Sequence, residues 1–199
     1  MYQIKLEMKI AFMTNTHTFL AKLIHWTFIP LYAYGIFKQV DDLNQLKDAS
    51  FLNFEILFAI VFLIIVLLRY FYMKDTPTLL GAHNELPKGH LFIAKTVHRL
   101  VYFSLIMLPT TGLLIAALVS LDIKGVEIAV SIHELSADLS YVVIALHVGA
   151  TLYSRFKGEG LWNAMVPIWK ETEKNNSTLV SKLENLEHKV YEKIEKVID

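Results

Sequence analysis

The sequence contains no cysteine among its 199 residues. That absence excludes disulfides, thiolate zinc sites, iron–sulfur clusters and covalent c-type haem attachment. Charge is also scarce: 19% of the residues are charged, against roughly 25% in an ordinary soluble domain. Neither sign dominates, because nineteen Lys plus Arg balance nineteen Asp plus Glu; net charge therefore points to neither nucleic acid nor an acidic partner. A Gly-rich phosphate loop is absent, as are the HxxEH and HExxH zinc signatures. Redox or metal chemistry is left to His, Met or carboxylates. Apolar residues are abundant, at 54% of the chain, and they fall in a few long blocks. A membrane protein is the expectation.

Covering a hydrocarbon layer of about 30 Å takes ~20 helical residues. Four segments qualify: about Phe19 to Val40, Phe51 to Tyr72, Lys95 to Leu121, and a fourth around Leu139 to Tyr153. The second holds thirteen uninterrupted apolar residues, Ile56 to Leu68. The fourth reaches spanning length only if it extends back through Ile132, His133 and Glu134. The predicted fold class is therefore all-α, an integral membrane four-helix bundle with a C-terminal amphipathic cytoplasmic helix. Its parts are an N-terminal cytoplasmic segment, 1–18, a four-helix transmembrane domain, 19–169, and a soluble tail, 170–199.

Loop charge sets the orientation, since Lys and Arg gather on the cytoplasmic side. Lys5, Lys9 and Lys22 precede or open the first span. Arg69, Lys74, Lys88, Lys95 and Arg99 flank the loop between spans two and three, and Arg155, Lys157 and Lys170 follow span four. The other two loops set Lys38, Lys47 and Lys124 against Asp41, Asp42, Asp48, Asp122 and Glu127. Both termini are expected inside, with no cleavable signal. In the tail, Leu179, Leu183, Leu186, Val190 and Val197 mark one face of a charged helix, too short for a sustained coiled coil. That face is either solvated or a contact for an oligomer or partner protein.

Of the eight histidines, His25, His98, His133 and His147 lie in or at the edge of spans. Ionisable groups there are costly, so each is a functional candidate. His133 and His147, fourteen residues apart on one helix, lie about 21 Å apart on roughly the same face. Such stacking suits two haems at different depths. His25, early in an ascending span, and His147, late in a descending one, share the cytoplasmic half. Two neutral imidazoles there can ligate a haem iron axially and leave no open position. His83 and His90, in the loop with Pro87 and Gly89, read as solvent-exposed.

The run SIHELSADLSYVVIALHVGATLY resembles the last membrane helix of the bacterial cytochrome b561 family, which is similar to the cytochrome b subunits of membrane-bound nickel–iron hydrogenases. LIHW in the first helix, VLLRY in the second and VHRLVYFSLIMLPTTGLL in the third match in order and spacing. The resemblance covers Phe19 to about Met165. It implies a haem b held by His25 and His147, and a second haem on His133. The family's other ligand to that second haem stands fourteen residues before the helix-ending Arg; here, counting back from Arg69, that position is Glu55. Two arrangements follow: a polar pair of His133 with Glu55 and no second haem, or a second haem with another ligand or none. His98 matches a family position that is not normally an axial ligand, which leaves a haem propionate, a quinone headgroup or another electron partner as what it meets. Arg69, Lys95 and Arg99 either pair propionates or simply flank the membrane on its positive side. The implied protein is a bacterial inner-membrane, multi-pass electron-transfer cytochrome, in contact with the lipid bilayer and with quinone or a redox protein. The alternative is a haem-free membrane anchor that binds a partner through its C-terminal helix.

Overall fold

A computed structural model describes residues 16–40, 42–83, 85–171 and 177–198. Lys5, Lys9 and Asp41 lie outside them. The described residues form helices and connecting turns, with no strand among them. Among the described residues the α-helices are α1 (Phe19–Phe37), α2 (Ala49–Met73), α3 (Lys88–Ser120), α4 (Val126–Lys157), the short α5 (Leu161–Met165) and α6 (Thr178–Ile198), with a 3-10 helix, Leu43–Lys47, between α1 and α2. Each of the first two starts at a side-chain cap. The Thr18 hydroxyl accepts the Ala21 N–H at 3.1 Å, and the Asp48 carboxylate accepts the Phe51 N–H at 2.9 Å, satisfying donors that a helix start leaves without an intrahelical partner.

Helices α2, α3 and α4 are long and apolar enough to cross a membrane. Along α2, Leu57, Ile64, Leu68 and Phe71 are exposed at helical spacing, a stripe suited to acyl chains rather than water. Helix α4 runs unbroken through Ile132, His133 and Glu134, so the fourth apolar segment does extend back through its polar residues. Helix α1 is shorter, 19 residues, and Lys22, His25 and three polar-tipped aromatics (Trp26, Tyr32 and Tyr34) dilute it. It does not join the three.

The chain divides into two compact units. One comprises Met1–Lys22, Asp75–Arg99 and Ala145–Asp199; the other comprises Leu23–Lys74 and Leu100–Ile144. Helices α3 and α4 run through both. In the second unit, Phe28, Phe62, Val66 and Leu105 form a buried cluster joined by Tyr32, Phe58 and Tyr102. Leu46, Ile115 and Ala129 form another. Pro109 inside α3 removes one backbone donor, and beside it the Thr110 and Thr111 hydroxyls donate to the Ile106 and Met107 carbonyls at 2.7 and 2.8 Å.

In the first unit, Arg155 closes the end of α4. Its guanidinium donates to the Trp169 and Lys170 carbonyls at 3.0 and 3.1 Å and stacks 3.6 Å from the Trp169 ring centroid. That planar fork, only 8% exposed, folds the chain after α4 back onto the helix.

Candidate functional site

Four half-buried histidines are the candidate ligands, and α4 holds two of them. His133 and His147 share the face of α4 that also carries the buried Ser136, Ser140 and Val143. Tyr32 and Ser140 hydroxyls meet at 2.7 Å in this layer.

In the second unit, His133 Nδ1 lies 2.9 Å from the Thr111 hydroxyl, with Gly112 alongside: a Cβ there would stand 3.6 Å from the His133 ring. The Thr111 hydroxyl also lies 2.8 and 3.0 Å from the Met107 and Leu108 carbonyls. With its one proton on a carbonyl it accepts from His133 Nδ1, and the ring lone pair then falls on Nε2, as in metal-ligating histidines whose other nitrogen donates to a fixed partner; with Nδ1 bare it donates to the ring instead.

Glu55 does not meet His133. It forms an ion pair with Lys38, whose ammonium also lies 5.0 to 6.0 Å from the ring centroids of Phe51, Phe54 and Phe58. The physical reason is charge: a half-buried carboxylate gains more from a full cation just beyond the end of α1 than from a neutral imidazole that already has a hydroxyl partner. The expected His133–Glu55 pair is corrected to two separate pairs.

In the first unit, His98 and His147 come together, with ring centroids 5.1 Å apart and planes tilted by 55°. Sequence reasoning assigned His98 to a propionate or a quinone and did not foresee this contact. His25 lies half-buried on α1, in the second unit, its ring edge against Trp26. Arg69 is half-buried and hydrogen-bonded to Tyr102; Arg99 and Lys95 are exposed on α3.

Sequence reasoning missed a further cluster. His90 is not a solvent-exposed loop residue: it lies in the first turn of α3 and stacks on Tyr191 of α6, with centroids 5.2 Å apart. His90, Glu159 and Glu187 bring ligand atoms within 4.8 Å of one another. Lys157 stands between the two carboxylates, 2.5 Å from Glu159 and 2.7 Å from Glu187. One ammonium thus already bridges the two acids, and the cluster reads as an interhelix clasp. Only the i, i+4 spacing of Glu187 and Tyr191 signalled it in the sequence, and that spacing is common.

Comparison with known proteins gives a match to the family model described as prokaryotic cytochrome b561, over residues 16–167. No curated protein and no solved structure matches the chain.

Proposed function

The chain belongs to the prokaryotic cytochrome b561 family, membrane b-type cytochromes of electron transfer, and we propose that its haem b is held axially by His25 and His147. The observation that carries the chemistry is the donor set. Histidines stand at two levels on one face of α4, with small buried serines between them, and no thiolate exists to compete. Haem b, when bound, supplies a one-electron couple. The pairing of His25 with His147 rests on the family match and on the register of the two helices in a topology with both termini cytoplasmic, in which α1 is a fourth span. In this reading His98, whose ring packs against that of His147, holds the ligand ring in orientation and lines the haem edge. Arg69, fixed by Tyr102, and Arg99 supply cations for propionates. Two imidazoles holding the haem would leave no ligand position open, so the site would pass electrons between a redox partner and quinone or another acceptor rather than bind oxygen.

A second reading has its own support. With the ring hydrogen on Nδ1, facing the Thr111 hydroxyl, His133 would present a bare Nε2 to iron, yet Glu55 is engaged with Lys38 and offers no second imidazole. We take one haem per chain as the reading the residues favour. A pyridine haemochrome count on purified protein, expressed with ample haem, tests both readings. One haem per chain, lost when His25 and His147 are both replaced, supports the proposal. Two haems, one of them lost in His133→Leu, select the second reading. No haem at all selects the anchor that binds a partner.

A further inference from the structure

Helix α6 is amphipathic in an unusual sense: its polar face is the one that packs on the protein. Glu187 accepts hydrogen bonds from Lys157 at 2.7 Å and Tyr191 at 2.5 Å. Glu195 accepts the Gly89 N–H at 2.9 Å, a free donor at the start of α3. Tyr191 stacks on His90, and its backbone passes so close to Gly89 that a Cβ there would lie 2.8 Å from the Tyr191 Cα. With Val180 buried and Glu184 half-buried, these residues define one docked face.

The leucine stripe lies elsewhere. Leu179, Leu183, Leu186, Val190 and Val197 are all exposed, from 47% at Val190 to 84% at Val197. At 100° per residue the stripe centres about 100° from the docked face around the helix. Lys182, Lys189, Lys193 and Lys196, also exposed, centre about 80° to the stripe's other side. Charge is segregated by sign: three of the helix's acids face the protein, and these four lysines border the apolar stripe.

We propose that α6 lies on the membrane surface, its leucine stripe in the boundary between headgroups and acyl chains and its lysine row on anionic lipid headgroups. A solvated helix has no use for five aligned aliphatic side chains turned away from the protein. Stripe and lysine row together are the pattern of an interfacial helix, whose binding combines buried apolar area with attraction to anionic lipid. Lys193 argues against a second copy as the occupant. The 4-3-4 spacing of the stripe continues through position 193 before reaching Val197, so a lysine interrupts the seam that a coiled coil would close. At an interface, its long stem follows the apolar surface while the ammonium reaches the headgroups. The docked face explains the placement: α6 is clasped to the start of α3 and the end of α4, which are ends of membrane-length helices.

The absence of cysteine makes the test direct. Full-length protein carrying a single spin label at Leu183→Cys, Val190→Cys or Ser181→Cys is reconstituted into vesicles of phosphatidylcholine with phosphatidylglycerol, and collision rates with oxygen and with a water-soluble nickel chelate are compared. The expected oxygen-to-nickel ratio is several-fold higher at 183 and 190 than at 181, which lies on the far side from the stripe. It should fall in vesicles of phosphatidylcholine alone, or when the four lysines are replaced by Gln. Nickel access at 183 and 190 equal to that at 181 in every vesicle would overturn the proposal in favour of a solvated helix. Label-to-label dipolar broadening at 183 or 190 would overturn it in favour of a second copy. Haem content enters none of these readings, so the result stands apart from the ligand assignment.

Discussion

His25 and His147 each bring a neutral imidazole into an apolar helix, at a cost that only a partner justifies. If both are axial ligands, His25→Leu or His147→Leu removes the low-spin haem b spectrum while the helices remain. Reduced-minus-oxidised spectra and haem content of the purified variants check this, and an unchanged spectrum in the double variant ends the assignment. Thr111 offers a separate test. Thr111→Val keeps the shape of the side chain but removes the hydroxyl that meets His133 Nδ1. A buried polar group left unpaired costs about 1–3 kcal/mol, so the thermal midpoint should fall; under the one-haem reading the haem count stays the same. A fall in the count would instead identify His133 as a ligand that Thr111 orients. The four histidines were legible in the sequence because polar residues stand out against apolar runs. Their partners were not. Whether His133 meets Glu55 or Thr111 depends on helix rotation and on Lys38, which lies seventeen residues from Glu55 and belongs to a different element. The same holds for His98, which meets His147 across forty-nine residues of sequence.

Helix α6 shows what periodicity reveals and what it leaves open. The 4-3-4 leucine spacing announced a helix and one aligned face. It did not announce that the other, acidic face would dock, because that choice belongs to Lys157, His90 and the start of α3. Gly89→Ala tests the docking geometry. A Cβ 2.8 Å from the Tyr191 Cα meets backbone, which cannot swing aside as a flexible side chain can. Overpacking of this kind costs about 1–3 kcal/mol, so α6 should be released, with faster proteolysis after residue 170 and little change in haem spectrum. A cleavage rate equal to wild type would contradict the close approach. Acid should release the same helix. Burial alone would raise the Glu187 carboxyl, but the hydrogen bonds from Lys157, Tyr191 and Tyr153 outweigh it and hold the group below its ordinary value of 4.5. A carboxyl depressed in the folded chain contributes stability above its ordinary value, and that contribution is lost as pH falls through the depressed one. Docking is therefore expected intact at neutral pH and lost in acid, as pH falls below the ordinary carboxylate value and through the depressed one, with Glu187→Gln already loosened at pH 7. Limited proteolysis across pH, in one detergent, reads both.

At the scale of the whole molecule, the contacts within the first unit decide which ends of the spans share a side. His98 meets His147, Gly89 meets Glu195, and Lys157 meets Glu187. The start of α3 and the end of α4 therefore lie together, so the loop before α3 and the chain after α4 are expected to emerge on one face of the membrane. That face would carry Lys88, Lys95 and Arg99 from one segment, and Arg155, Lys157 and Lys170 from the other. Lys124, between α3 and α4, is accompanied by Asp122 and Glu127. A bias of this size in short loops retains the basic face in the cytoplasm. The chain after α4 is thus expected inside, and α6 with it. A C-terminal green fluorescent protein fusion should fluoresce in a bacterial host, and a C-terminal alkaline phosphatase fusion should be inactive. The same pair of reporters placed between α3 and α4, near Ile123, should give the opposite result. An active phosphatase at the C-terminus would reverse the orientation. It would move the His147 level to the outer half of the bilayer and turn the α6 lysines toward the outer leaflet.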